Sequence, residues 1–477
     1  MSHHFPLEPD RATMAEMGGL VLDHVMDFIT ELTDRPTNNP VGPAATAGLV
    51  ADFLAAPPEQ AGDLEELLGR LGLAANCALE TAGPGYLAYV PGGGLYTSAL
   101  AEFYTLGVNR YGSMAFTAPA LVALEESVLR WIAQDVSGLP PGSSGLLTTG
   151  GSMANFSALV TARHTHLGED FGAGTVYVTP FANHSLTKAA RLAGIRERNI
   201  RVVPCTDDLR MDVEAAAAMI RSDRAAGLRP FLLIGSAGTT HTGTVDPLSA
   251  MASLAQQEKL WFHVDAAYGG FFGLTARGRR RLAGMERADS VALDPHKTLF
   301  LPFGTGALVV RDPAKLFAAH EGTGDYLQDV GSSGGLPNYA HLGPELTHEV
   351  RGLRVWLPLH LHGVSAFRCA LNEKLDLAEQ VYDKLACVPS LELPWRPDLS
   401  TVVFRIRPRD SSATAVAEAD EATRRLLDRV NATGRVLLSS TVVGGRQTIR
   451  MCIVIHRTHS DRVAEAVELI IAEALKG

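Results

Sequence analysis

Paired cysteines, an excess of basic residues and a long apolar run are all missing from this 477-residue sequence. The five cysteines, Cys77, Cys205, Cys369, Cys387 and Cys452, are odd in number and scattered without CxxC spacing. That pattern suggests neither a disulfide framework nor a zinc site, and it fits a reducing cytosol. The formal net charge of −10 argues against a surface built for nucleic acid. The opening MSHHFPLEPDRATM has no basic stretch leading into an apolar core, so no signal peptide is expected. No stretch has the length and purity of a membrane span. The expectation is a soluble, cytoplasmic protein with no nucleic-acid or membrane partner. Internal repeats and low-complexity tracts are absent as well. The histidine pairs His164/His166, His360/His362 and His3/His4 lack acidic or cysteine partners at a ligand spacing, so no metal is expected.

What is present is ample core: 46% hydrophobic and 20% charged residues, as in an ordinary globular enzyme. From about Met14 to Leu73, helical patterns such as MAEMGGLVLDHVMDFITEL alternate with Pro/Gly breaks. This segment is too dispersed to hold a core alone and is expected to pack on something else. Beyond Gly85 short apolar runs alternate with helical ones: TVYVTP, IRVVPC, PFLLIGSAG, LWFHVDAAYGG, DSVALDPHK and GALVVRD. Continuous apolar strands separated by helices predict a largely parallel sheet covered on both faces, an α/β fold. Ligands of such sheets gather at the carboxyl ends of the strands. The tail mixes strands (STVVFRIRP, QTIRMCIVIH) with helices, an α+β arrangement.

Three features follow apolar runs. In DPHKTLFLPFGTG, Lys297 sits between two hydrophobic stretches, where an ammonium is costly to bury unless it is paired or used chemically. It either escapes to solvent or does chemistry. In FHVDAAYGG, Asp265 ends a strand; it is either a turn residue or the partner of a cation over the sheet edge. In TTGGSMAN, a glycine pair opens a helix, either as punctuation or as a cradle of N–H groups for a phosphate. Read together, the three supply a Schiff-base amine, a partner for a pyridinium nitrogen and a phosphate site, the set that pyridoxal phosphate requires.

These motifs carry a resemblance. GYLAYVP, GGSMANFSALVTAR, NHSLTKAARLAG, GTTHTGTVDP, HVDAAYGG, DPHK, RGLRVW and IRMCIVIHRT run nearly end to end and are similar to the group II pyridoxal-phosphate-dependent amino-acid decarboxylases. The resemblance implies fold type I, with a mainly parallel seven-stranded sheet. It divides the chain into an N-terminal helical segment packing across a homodimer (1–85), a large cofactor domain (86–362) and a small α+β domain (363–477). It implies that Lys297 holds pyridoxal 5′-phosphate covalently, with His296 reaching the phosphate beside Gly151 and Ser152. Asp265 would keep the pyridine nitrogen protonated, Ala267 would pack under the ring and His184 would stack over it. Thr240, with Asp246 nearby, would support the ring and its substituents.

A Gly/Ser-rich segment from His320 to Gly343 reads as a mobile loop, and loops this long are commonly functional. In the family a loop tyrosine protonates the substrate carbon. Tyr326 matches it in order and distance from Lys297, and Tyr339 is the rival. Relatives that form aldehydes change this tyrosine or the stacking histidine; both are present here, which favours simple decarboxylation. The substrate pocket implied by resemblance comprises Tyr89, Pro91 and Gly92, with Tyr111 entering from a neighbouring subunit. An aromatic L-amino acid is favoured over an aliphatic or acidic one, because AYVP resembles the aromatic branch and no arginine is evidently dedicated to a side-chain carboxylate. Two departures stand against it: Gly92 replaces a hydroxyl residue, and Thr298 follows the lysine where many aromatic decarboxylases carry tryptophan. Gly92 to Gly94 either make room for a side chain or let the backbone turn. Arg450 matches a family arginine and is undecided between structure and site support. An aminotransferase, a carbon–sulfur lyase or a non-catalytic cofactor-binding dimer are the competing readings.

Overall fold

The computed structural model describes residues 7–38, 42–322 and 334–476. Seven strands build the main sheet: β1 (Ser144–Thr148), β2 (Gly174–Val178), β3 (Ile200–Val202), β4 (Arg229–Ser236), β5 (Trp261–Asp265), β6 (Ser290–Leu293) and β7 (Gly306–Val310). Their spatial order is β1-β7-β6-β5-β4-β2-β3. The pairs from β3 to β6 are parallel, and β7 runs antiparallel to both its neighbours. Every residue of β1, β2, β5, β6 and β7 is buried. That burial is why these strands read as unbroken apolar runs rather than alternating ones. The expected mainly parallel seven-stranded sheet is therefore present. The short SGLLT strand, β1, is the member that the apolar runs alone did not reveal.

Because β1 is antiparallel to β7, and β7 to β6, the chain leaves β1, β2, β4, β5 and β6 at one edge of the sheet. The sequences GGSMAN, NHSL, SAGTT, DAAY and DPHK all emerge there. One strand-end edge thus collects the motifs scattered over 150 residues of sequence.

A second, antiparallel sheet follows, ordered β10-β11-β9-β8, from β8 (Leu391–Glu392), β9 (Thr401–Ile406), β10 (Ser439–Val443) and β11 (Arg446–Cys452). The helix Val364–Ala386 joins the two parts. Phe367, Leu371 and Leu375 of its first half lie in the main core, and Val381 and Leu385 of its second half lie in the C-terminal one. The expected boundary at residue 86 is blurred by hydrogen bonding. Leu87 donates its N–H to Leu437 (2.9 Å) and accepts from Cys452 (2.8 Å), so the start of GYLAYVP is bonded between the segment leading into β10 and the end of β11.

The N-terminal helices Arg11–Glu31, Pro43–Phe53 and Leu64–Asn76 contain no buried residue. Met14, Val21, Val25, Phe53 and Leu71 remain exposed on them. As the sequence suggested, they have no core of their own within the chain.

Candidate active site

At the strand-end edge lies a cavity of about 460 Å³. Gly151, Ser152, His184, Thr240, Asp265, Ala267, His296 and Lys297 all line it, so eight of the residues expected to bind cofactor converge.

Lys297 sits on a single helical turn, Pro295–Thr298, directly after β6. Its Nζ lies 2.8 Å from Oδ2 of Asp294, three residues back on the same turn. Burial works against the ammonium, but Asp294 and then Asp265 outweigh it, and the amine's pKa is raised above the ordinary lysine value. Asp294 is itself buried, and its Oδ1 finds no hydrogen-bond partner among the described residues. Asp265 ends β5 and accepts from the Ala267 N–H (3.1 Å) and the Asn155 amide (3.3 Å). Its burial pushes the carboxyl pKa up against the opposing influence of Lys297 and those donors. A carboxylate so placed favours a cation brought against it.

The helix Gly151–Leu167 starts at the same cavity and has no side-chain cap. The first turn of a helix leaves N–H groups without intrahelical partners, and Gly151 and Ser152, which open this one, both line the cavity. Gly150 carries φ +154°, and a Cβ on Gly151 would lie 3.0 Å from Asp294 Oδ2 and 3.2 Å from the Ala267 methyl. Backbone conformation at Gly150 and close approach at Gly151 thus favour the glycine pair, which is not mere punctuation. His296 donates from Nδ1 to the Thr305 carbonyl (2.7 Å), which leaves Nε2 as the free nitrogen, 3.8 Å from Asp294 Oδ2. Asn183 caps the helix His184–Leu192 through Ser185 N–H (2.9 Å) and donates to Thr240 Oγ1 (2.8 Å), which fixes His184 at the cavity rim.

Other expected residues lie elsewhere. Asp246 is buried with both carboxylate oxygens spent on backbone N–H groups, those of Met211 and Ser236 (2.8 Å each), and it does not line the cavity. Its support is indirect, through the end of β4. Val90 lines the cavity, whereas Tyr89, Pro91, Gly92 and Tyr111 of the same chain do not. Tyr111 donates its hydroxyl to the Leu346 carbonyl (3.0 Å). A Cβ on Gly92 would meet the His296 carbonyl at 2.6 Å, one on Gly93 would meet His456 Nδ1 at 2.5 Å, and Gly94 has φ +61°. The triple glycine thus serves backbone approach and a turn rather than room for a substrate. Thr298 points inward and bonds the Tyr268 carbonyl (2.9 Å), outside the cavity. Tyr339 is buried against His348, with ring centroids 5.2 Å apart, and does not line the cavity. Tyr326 lies outside the described residues.

Arg450 has a clear role. Its guanidinium donates to the carbonyls of His241 (2.9 Å) and Tyr89 (3.4 Å) and to Ser439 Oγ (3.1 Å). Ser439 Oγ in turn accepts from Tyr89 N–H (3.0 Å), so this pair holds Tyr89 at a left-handed φ of +52°. Sequence reasoning missed Asp294, Asn155 and Asn183 as site residues. Each lies inside a motif already singled out, and Asp294 at i−3 from Lys297 was the readable signal.

A cavity that presents an amine for imine formation, a buried carboxylate that favours a cation and an uncapped helix start that favours an anion fits pyridoxal phosphate. The fold around it is that of a fold-type I pyridoxal-phosphate enzyme. Residues 52–407 match the pyridoxal-dependent decarboxylase conserved domain, and the chain belongs to that family. It is 30% identical over 476 residues to the aromatic-L-amino-acid decarboxylase of Bacillus atrophaeus, covering 99% of this chain and 98% of that one. Among solved structures it is similar to Oryza sativa TDC crystallised with PLP and tryptamine, with a TM-score of 0.92, 27% identity and 99% of each chain covered. It is also similar to Catharanthus roseus tryptophan decarboxylase in complex with L-tryptophan, with a TM-score of 0.90 and 25% identity over 99% and 100% of the two chains. The cofactor is pyridoxal 5′-phosphate.

Only the neutral amine can attack the cofactor's aldehyde, and Asp294 favours the ammonium. Replacing Asp294 by Asn therefore lowers the Lys297 pKa. The expected result is that covalent cofactor attachment to apoprotein, followed by visible absorbance, shifts its pH dependence to lower pH. An unchanged profile would contradict this role for Asp294.

Proposed function

We propose that this protein decarboxylates an aromatic L-amino acid to the corresponding amine and carbon dioxide. The observation that carries the substrate class is the cavity's charge. Among its described lining residues Lys297 is the sole lysine and there is no arginine. The nearby Arg450 is already committed to backbone carbonyls. A substrate with a side-chain carboxylate would find no cation to pair with. The aromatic substrates named for the relatives support the same choice.

When bound, the cofactor supplies an electron sink conjugated to the substrate's α-carbon. The residues of this chain do the rest. Lys297 Nζ holds the cofactor and yields it to the substrate amine. Asp265 keeps a proton on the pyridine nitrogen. The Gly151 and Ser152 N–H groups would hold the phosphate, with His296 beside it able to donate from Nε2 only as the imidazolium; Ala267 would pack beneath the ring, and His184 would cover it from the rim. Thr240 is aligned by Asn183. We assign proton return to the α-carbon to the Tyr326 phenol; the buried position of Tyr339 supports that choice over its rival.

The reading includes a homodimer in a cytoplasmic setting. The unburied apolar side chains of the N-terminal helices, together with exposed Phe103, Tyr104 and Leu106, are what a second copy would cover. Tyr111 would then meet the neighbouring subunit's site. Five unpaired cysteines support a reducing compartment.

A mass-spectrometric product screen tests the reaction. Holoenzyme is offered each proteinogenic L-amino acid, dihydroxyphenylalanine and 5-hydroxytryptophan, without a keto acid. Amine and carbon dioxide from aromatic substrates are expected; preference for glutamate or aspartate would overturn the substrate class, and no amine at all would overturn the reaction. Light scattering should return twice the chain mass, and a monomer at micromolar concentration would refute the dimer.

A further inference from the structure

Behind Asp265 lies a hydrogen-bond chain whose far members, His263, Ser290 and Trp261, do not line the cavity. Asn155 Nδ2 lies 3.3 Å from Asp265 Oδ2 and 3.2 Å from Ser185 Oγ. An amide side chain can be turned either way, and only one orientation gives Asp265 an N–H; the other sets an oxygen against a carboxylate. His263 selects between them, because its Nε2 lies 2.9 Å from Asn155 Oδ1. Ser290 Oγ lies 2.8 Å from His263 Nδ1 and can donate its hydroxyl proton there. Trp261 Nε1–H, which can only donate, occupies the same Oγ at 2.8 Å.

One set of directions presents an N–H to Asp265. Trp261 donates to Ser290, Ser290 donates its hydroxyl proton to His263 Nδ1, His263 Nε2–H donates to Asn155 Oδ1, and Asn155 donates to Asp265. With the histidine proton on Nδ1 instead, Asn155 would have to turn its oxygen toward the carboxylate. All of these residues are buried. Burial pushes the His263 pKa down to about 3, so the ring stays neutral and keeps one donor and one acceptor.

We infer that His263 and Asn155 are positioning residues, which hold the Asp265 carboxylate turned toward the pyridine nitrogen through a one-directional hydrogen-bond chain anchored at Trp261 and Ser290. The inference rests on the placement of Asp265 against that nitrogen. His263 does not line the cavity; it acts through Asn155. The two-residue period of a strand puts His263, two residues before Asp265, on the same face of β5.

The test measures the dissociation constant of pyridoxal phosphate without substrate, then kcat and KM separately. His263→Phe keeps a ring and removes the donor. It should weaken cofactor binding and lower kcat, each by about tenfold, with KM changed less than about twofold. His263→Gln carries an amide N–H toward Asn155 and should recover most of both losses. Should His263→Phe fail to fold, Asn155→Leu carries the same prediction for cofactor affinity. Unchanged affinity and kcat in a folded His263→Phe or Asn155→Leu variant would overturn the inference, as would equal losses in the Phe and Gln variants of His263. Asp265→Ala separates the two levels: wild-type affinity and turnover there would remove the underlying placement of Asp265, whereas a damaged Asp265→Ala beside an intact His263→Phe would remove the chain alone.

Discussion

A part-buried ammonium paired with the buried carboxylate of Asp294, with that of Asp265 in electrostatic reach, is the constraint on which the rest of this molecule depends. Lys297 lies within ion-pair distance of Asp294 and within the electrostatic reach of Asp265, at the end of adjacent strands. Taking such charges out of water costs several kcal/mol per ion unless geometry and hydrogen bonds compensate. The compensation here is imperfect: Asp294 keeps an unpartnered oxygen and burial still raises the Asp265 pKa. A folded protein retains so costly a cluster where the groups are used, and the complementary cation and anion of pyridoxal phosphate are what the cluster lacks.

The sheet topology is what makes this cluster possible. Parallel strands β4, β5 and β6 deliver Ser236, Asp265 and Asp294 to one edge, while the antiparallel turn of β7 returns the chain beside the helix start at Gly151. Thr148 of β1 pairs with Gly306 of β7, and a Cβ on Gly306 would lie 2.5 Å from the Gly150 backbone. The phosphate cradle is thus wedged against the sheet rather than carried on a free loop. The small sheet contributes from the other side: Arg450 and Ser439 hold Tyr89, so the mouth of the cavity is built jointly by the beginning and the end of the chain.

Much of this was legible in the sequence because the strands are buried on both faces and read as apolar runs, each followed by one polar motif. Lys297, Asp265 and the Gly150–Gly151 pair could be picked out for that reason. The family resemblance added His184, His296, Thr240 and Ala267, which composition and periodicity would have left as ordinary loop or turn residues. Asp246 was misplaced because a carboxylate that caps backbone N–H groups from inside looks the same in sequence as one that faces a ligand. Gly92 and Thr298 looked like comments on the substrate, yet each answers a backbone contact visible only in three dimensions. Asn155, Asn183 and His263 went unread because they act through partners on other strands, and no local pattern records that.

The most direct test of the central claim is to locate the covalent cofactor. Holoenzyme is reduced with borohydride, which converts an imine to a stable secondary amine, and is then digested and mapped by mass spectrometry. The account predicts the phosphopyridoxyl group on the peptide containing Lys297, and on that lysine alone. A label on another lysine, or none after reduction of a visibly coloured preparation, would contradict it.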